Sequence, residues 1–286
     1  MSTVAACQVK IDIDEPDATW QAVTKAVNEA AKSSADIVVL PELAWTGYVF
    51  GSIAEAADRA EDANGPKAGR LRELSAELGI VLIFGFVERN PSGPRPYNSA
   101  VLIDRGEVLA VYRKTHLWDR EKLIFEAGSE PAPVITTSAG SIALMICYDL
   151  EFPEMVRDVA LRGAQLIAVP SNWPAGPKPP SERPVEVAKA QAGAAVNRVF
   201  IAVADRCGVE RGVDWFGGSV ICDVTGYPLA GPADGQPTTL LATVNLAQAD
   251  DKRVGPHNDA LLDRRLDLAW MTRQAADLPD DHPPTN

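Results

Sequence analysis

Apolar residues in this chain come in short unbroken runs, separated by stretches of helical period. Residues 3–9 are apolar enough for a buried strand. Residues 17–32 then place Ala18, Ala22, Val23, Ala26, Val27 and Ala30 on one helical face. The run Ile37-Val38-Val39-Leu40 follows, closed by Pro41, which reads as a helix feeding a strand buried on both faces. A second helix over 66–78 leads into Ile80-Val81-Leu82-Ile83-Phe84-Gly85-Phe86. Strands over 97–103 and 108–112 are joined by Asp104-Arg105-Gly106, a hairpin whose glycine can take positive φ.

The second half repeats the order. Ser141-Ile142-Ala143-Leu144-Met145-Ile146-Cys147 reads as a strand, and Pro153 stands where a helix to about residue 162 can begin without losing a hydrogen bond. Leu166-Ile167-Ala168-Val169 then ends in Pro170, as Leu40 ends in Pro41. A helix over 182–196 and a strand over 200–204 complete the echo. No Pro/Gly/Ser linker divides the halves, so the pattern predicts one α/β domain over 1–273 and a polar tail over 274–286. Residues 174–184, with five prolines, read as an active-site loop.

Composition changes the picture in two respects. With 46% hydrophobic and 23% charged residues the chain can bury a domain-sized core, which excludes the disordered and fibrous classes. A formal charge of -12 is the wrong sign for nucleic acid or an anionic membrane surface, so a small molecule is the expected partner. No apolar stretch is long enough to span a membrane, and Lys10, Asp12 and Asp14 break the N-terminal apolar run. A cytoplasmic protein is expected. Four cysteines and three histidines show no metal-ligand spacing, and no structural metal is expected.

Three segments carry candidate chemistry. Cys147 sits at a strand-to-helix turn, where a thiol is exposed near helix amides; the plain alternative is a cysteine packed as a small hydrophobe. Cys7, Cys207 and Cys222 lack such a turn and read as core. A nucleophilic thiol needs a base, and neither His116, His257 nor His282 is well placed. Glu42, at the carboxyl end of its strand beside Leu43 and Trp45, is a candidate base of raised pKa, or else an ordinary loop glutamate. Lys114 leaves a strand among aromatic residues and can supply an oxyanion charge or be simply solvated.

Taken together these segments resemble the nitrilase superfamily of carbon-nitrogen hydrolases. Leu40-Pro41-Glu42-Leu43 is similar to its glutamate motif, Tyr112-Arg113-Lys114-Thr115-His116-Leu117 to its lysine motif, and Ile146-Cys147-Tyr148-Asp149 with Phe152-Pro153-Glu154 to its cysteine motif. The likeness continues through Pro170-Ser171-Asn172-Trp173, Gly217-Gly218-Ser219 and Asp263-Arg264-Arg265, so it covers residues 3–270. It implies a four-layer αββα sandwich, a Glu42, Lys114 and Cys147 triad, and a homodimer or higher homo-oligomer paired through helices near the nucleophile. A second glutamate after the lysine motif is implied at Glu121, with Glu126 as competitor. The implied reaction uses no metal or organic cofactor: Cys147 attacks a carbonyl, Glu42 shuttles the proton, Lys114 and the Tyr148 N–H hold the oxyanion, and water hydrolyses a thioester.

Trp45, Trp118, Trp173 and Trp215 fall in or near loops after the motif strands and can wall a pocket with Tyr48, Tyr148 and Phe216, or simply cap the sheet edge. Trp173 is the best single candidate, because the resemblance implies pocket residues just beyond the strand that precedes it, and Asn172, Tyr48 and Tyr148 are the further candidates for substrate binding. The compact length resembles the amidase-like members, so the expected substrate is a small aliphatic primary amide. A nitrilase, an N-carbamoyl amine or amino acid amidohydrolase and an ω-amidase share the same triad. The last would want an arginine, with Arg183, Arg206 and Arg211 as candidates.

Overall fold

In the computed structural model, which describes residues 1–179 and 181–268, the apolar runs become strands buried on both faces. β1 (Ser2–Lys10), α1 (Pro16–Lys32), β2 (Ile37–Val39), α2 (Ile53–Asp58), α3 (Pro66–Leu78), β3 (Val81–Glu88), β4 (Tyr97–Asp104), β5 (Glu107–Arg113) and the single turn α4 (Glu121–Ile124) form the first half. The second runs β6 (Val134–Thr137), β7 (Gly140–Leu144), a 3-10 turn over Cys147–Glu151, α5 (Pro153–Leu161), β8 (Leu166–Ser171), α6 (Val185–Asn197), β9 (Phe200–Glu210), β10 (Val213–Phe216), β11 (Val220–Cys222), β12 (Pro228–Ala230) and β13 (Thr238–Val244).

These elements lie in one compact unit, Met1–Asp251. A second unit begins at Lys252 and contains a short hairpin of β14 (Arg253–Gly255) and β15 (Asn258–Asp259). The boundary expected at residue 273 and the tail over 274–286 lie outside the described residues. Among the described residues no helix is long and apolar enough to cross a membrane.

Within the first unit the strands run β5-β4-β3-β2-β1-β13 and β6-β7-β8-β9-β11-β12, and the two sets join where Val9 and Lys10 pair with Arg206 and Cys207. The central strands β1, β2 and β3, and likewise β7, β8 and β9, are parallel. Side chains alternate across each strand, so one strand serves two cores. Val4, Ala6, Ile37, Val39, Val81, Ile83, Ala100 and Leu102 face the second sheet. Their neighbours Ala5, Cys7, Val38, Leu40, Leu82, Phe84, Val101 and Ile103 meet Val23 and Val27 of α1 and Leu71 and Leu74 of α3. On the far side Val156, Val159 and Ala160 of α5 and Val187, Ala190 and Ala194 of α6 cover the second sheet. The architecture is the expected αββα sandwich, and each fully buried aliphatic side chain contributes about 1.5–3 kcal/mol relative to exposure.

Local departures from the expected pattern have local causes. The 104–107 hairpin closes through Arg105 (φ 49°) and Gly106 (φ 87°), two consecutive left-handed residues matching the strand twist. α6 starts at Val185 rather than 182, because Pro184 disfavours helical geometry in the residue before it. β7 ends at Leu144 rather than Cys147: Asp149 Oδ2 takes the Ile146 N–H at 3.1 Å and turns the chain out of the sheet. β9 extends to Glu210, well past the expected end at 204, with buried Asp205, Arg206 and Glu210 interrupting its apolar run.

Candidate active site

Glu42 leaves the sheet just beyond β2 and is wholly buried. Its turn stays on β3 through hydrogen bonds from Gly85 N to Pro41 O (3.1 Å) and from Ala44 N to Gly85 O (2.9 Å). Only glycine fits at 85, since a Cβ there would lie 2.5 Å from the Leu43 nitrogen and 2.6 Å from the Glu42 Cα. Leu43 itself is held at φ 49°.

Lys114, just past β5, is buried beside it. Its Nζ donates to Glu42 Oε1 at 2.7 Å and to Glu121 Oε1 at 2.8 Å, with all three side chains sealed from solvent. Asn98 of β4 fixes both ends of this bridge: its backbone oxygen accepts the Lys114 N–H at 2.8 Å, and its Nδ2 donates to Glu42 Oε1 at 2.7 Å. Glu121, the buried first residue of α4, is tied by the Tyr48 hydroxyl at 2.6 Å and by the Trp118 N–H, which meets its other oxygen at 2.9 Å. Glu126, the competing position, is exposed. Glu42 Oε2 receives no described protein donor.

Cys147 opens the 3-10 turn with φ 46°, in the left-handed region that non-glycine residues occupy only where the surroundings over-determine it. Its Sγ lies 3.7 Å from the Asn172 carbonyl oxygen. Asp149 joins this turn to the lysine segment. It accepts from Tyr112 Oη (2.9 Å), Thr115 Oγ1 (3.3 Å), the His116 N–H (3.1 Å) and the Ile146 N–H (3.1 Å), and lies 2.9 Å from His116 Nδ1. The three motifs therefore meet: Glu42 and Lys114 by direct contact, and the lysine and cysteine segments through Asp149.

The charges explain the protonation pattern. Burial pushes Glu42 up to about 7, against the pull of the Lys114 ammonium and with some help from Glu121. Burial also holds the Cys147 thiol well above its ordinary value, with Glu42 adding to this and Lys114 opposing it. For Lys114 burial works downward, but Glu121 and Glu42 outweigh it and keep the ammonium charged. The site thus holds a charged Lys114 ammonium and a neutral Cys147 thiol beside a Glu42 carboxyl that titrates near neutrality.

The aromatic residues divide. Tyr48, Trp118 and Trp215 line a cavity of about 190 Å³ together with Phe50, Phe125 and Glu121, and Tyr48 packs edge-on against Trp215 at 5.2 Å. Trp173 is buried over Gly218. Asn172 is buried too, and its side-chain amide has no described partner. Tyr148 leans on Phe152, itself stacked on His116. Phe216 lines a different cavity, beside the 174–186 segment. Trp45 packs among Trp20, Phe84 and Phe86 in the core under α1. Of the three arginines, Arg206 is bound to buried Glu210, Arg211 to Asp14 and Glu55, and Arg183, at the loop cavity, donates to Gln191 Oε1. Cys7, Cys207 and Cys222 are buried and unpaired.

Asn98 lies outside the three motifs, and Asp149, inside the cysteine motif, has a task that only its partners in space reveal. For Asn98 the available signal was a lone amide inside the apolar strand over 97–103.

Comparison with known proteins identifies the family. The family model for carbon-nitrogen hydrolases matches residues 3–253, ending before Asp263-Arg264-Arg265. A nitrilase of Pyrococcus abyssi is 34% identical over 266 residues, covering 93% of this chain and 98% of its own. The amidase of Nesterenkonia sp. AN1, in a mutant carrying the acetamide moiety of fluoroacetamide on its active-site cysteine, superposes with a TM-score of 0.77 at 30% identity, over 95% of this chain and 97% of that one. A second mutant of that amidase, in complex with butyramide, matches with a TM-score of 0.73 at 31% identity, over 88% of this chain and 94% of that one. This chain belongs to the carbon-nitrogen hydrolase family, the nitrilase superfamily, and is a hydrolase of carbon-nitrogen bonds.

Proposed function

We propose that the chain hydrolyses small aliphatic primary amides to the carboxylic acid and ammonia through a thioester on Cys147. Glu42 takes the thiol proton as sulfur attacks the amide carbon. The oxyanion is held by Lys114 Nζ and the Tyr148 N–H, each donor worth about 3 kcal/mol of barrier. Glu42 then gives its proton to the leaving nitrogen and ammonia departs. A water, deprotonated by Glu42, attacks the thioester; the acid leaves and the thiol is restored. Glu121 and Asn98 keep Lys114 and Glu42 in register.

One observation carries this reading: Glu42 Oε1 is occupied by Lys114 and Asn98 while its Oε2 has no donor among the described residues, and the carboxyl is poised to about 7. Such a group accepts and returns a proton near neutrality. The small aromatic-walled cavity beside Glu121 favours short apolar acyl groups, as do the fluoroacetamide adduct and butyramide complex of the Nesterenkonia amidase. Tyr48 and Trp173, with Asn172 and Tyr148, are the proposed substrate contacts.

The test is ammonia release from a panel of aliphatic amides, the matching nitriles, N-carbamoyl amines and ω-amide acids. Short amides leading is the expected result, and no amide turnover beside brisk nitrile hydrolysis is the contrary one. We also infer a cytoplasmic homodimer. Four unpaired cysteines, one of them the proposed nucleophile, suit a reducing compartment, and Leu161 of α5 and Val196 of α6 are exposed apolar residues on the helices expected to pair.

A further inference from the structure

The peptide between Asn172 and Trp173 touches two buried groups at once. Its carbonyl oxygen faces Cys147 Sγ at 3.7 Å, and its N–H donates to Asp205 Oδ1 at 2.9 Å. Asp205 lies on β9 directly opposite Ser171 and is completely buried. Its other oxygen accepts the Gly218 N–H at 2.9 Å, while its own N–H donates to Ser219 Oγ at 2.8 Å. Both carboxylate oxygens are thus spent on neutral main-chain donors, and the neighbouring guanidinium of Arg206 is bound to Glu210.

An ionisable group sealed in this way is costly, and burial pushes Asp205 up to about 7 against those main-chain donors. Strand pairing does not require it, because β8 and β9 are already in register over six positions. What the side chain adds, among the described residues, is an acceptor for the N–H of the 172–173 peptide. That unit is planar, so fixing its N–H fixes the direction of its carbonyl. The same carboxylate fixes Gly218, where a Cβ would lie 3.5 Å from the Trp173 ring. Peptide, ring and glycine turn are thereby held as one piece against the strained Cys147 turn.

We propose that Asp205 is a positioning residue for the nucleophile: through the Asn172–Trp173 peptide it aims the carbonyl that seats the Cys147 thiol. This rests on Cys147 being the nucleophile, as in the proposed function. Asp205→Asn keeps an oxygen for the Trp173 N–H but meets the Gly218 N–H with a donor; Asp205→Ala removes both acceptors.

The experiment measures kcat and KM on a short amide, the melting temperature, and the rate at which iodoacetamide alkylates Cys147, with Cys147→Ala as the blank for the other three cysteines. Expected is a fall in kcat of about 3-fold for Asn and ~30-fold for Ala, KM staying within about 3-fold, and the alkylation rate changing together with kcat. Parental kcat and parental alkylation in variants that merely melt earlier would overturn the proposal. Should the Ala variant not fold, the Asn variant decides by the same two outcomes. Alkylation needs no turnover, so Asp205 can be judged even if the chain hydrolysed none of the amides.

Discussion

The ammonium of Lys114 and the carboxylate of Glu42 meet at 2.7 Å in a site where neither side chain touches solvent. Glu121 supplies a second carboxylate at 2.8 Å, so two acids share one cation. The arrangement costs stability for the sake of a proton-accepting group, and its consequences are open to measurement.

Removing the cation leaves those acids uncompensated. Lys114→Met is expected to lose about 3–5 kcal/mol of stability as well as amide hydrolysis. Denaturant melts of the variant at pH 5 and pH 8 check this, and the loss should be larger at pH 8, where Glu42 would otherwise ionise.

Glu42→Gln keeps the shape and removes the base. Turnover should fall by about 10²–10⁴. Stability has the opposite sign: a carboxyl raised from 4.5 to about 7 on folding binds its proton more tightly in the folded state. Its contribution is therefore greatest below the unfolded value and is lost as pH rises through the window up to about 7. At pH 8 the glutamine variant should melt no lower than the parent, while kcat/KM of the parent should climb with pH through about 7.

The Tyr48 hydroxyl donates to Glu121 Oε1 at 2.6 Å and so steadies the oxygen that Lys114 also uses. Tyr48→Phe should lose about 1.5–3 kcal/mol of transition-state stabilisation, read as a drop in kcat/KM for a short amide with the fold intact.

The left-handed Leu43 and the glycine beneath it set the Glu42 turn. Gly85→Ala pushes a methyl carbon into the Glu42 backbone and is expected to cost about 1–3 kcal/mol, with activity falling further than stability alone explains. Thermal melts paired with ammonia assays on the folded fraction separate the two effects.

Much of this molecule was legible because both faces of its central strands are buried. Ile37-Val38-Val39-Leu40 and Leu166-Ile167-Ala168-Val169 could only be interior strands, and the prolines that follow them mark where the chain turns toward the site. Short strands such as β11 and β12 carry three residues each, too few to show a period, and they form only because β9 and β13 are beside them. Residue types named Glu42, Lys114 and Cys147 as candidates, and motif resemblance joined them. Asn98, Asp149 and Asp205 are polar residues that each act on a partner 30 or more positions away, as with Asp149 and Tyr112 at a separation of 37. Trp45 shows the same limit: an aromatic residue after a strand turns into the core or the pocket according to neighbours the local sequence does not specify.

The most direct test of the central claim is the mass of the peptide containing Cys147, isolated from enzyme quenched by acid during turnover of a short amide. An added acyl group on Cys147, absent from Cys147→Ala, which in turn releases no ammonia, is the predicted result. Ammonia release by Cys147→Ala at the parental rate, with no acyl group on that peptide in the parent, would contradict it.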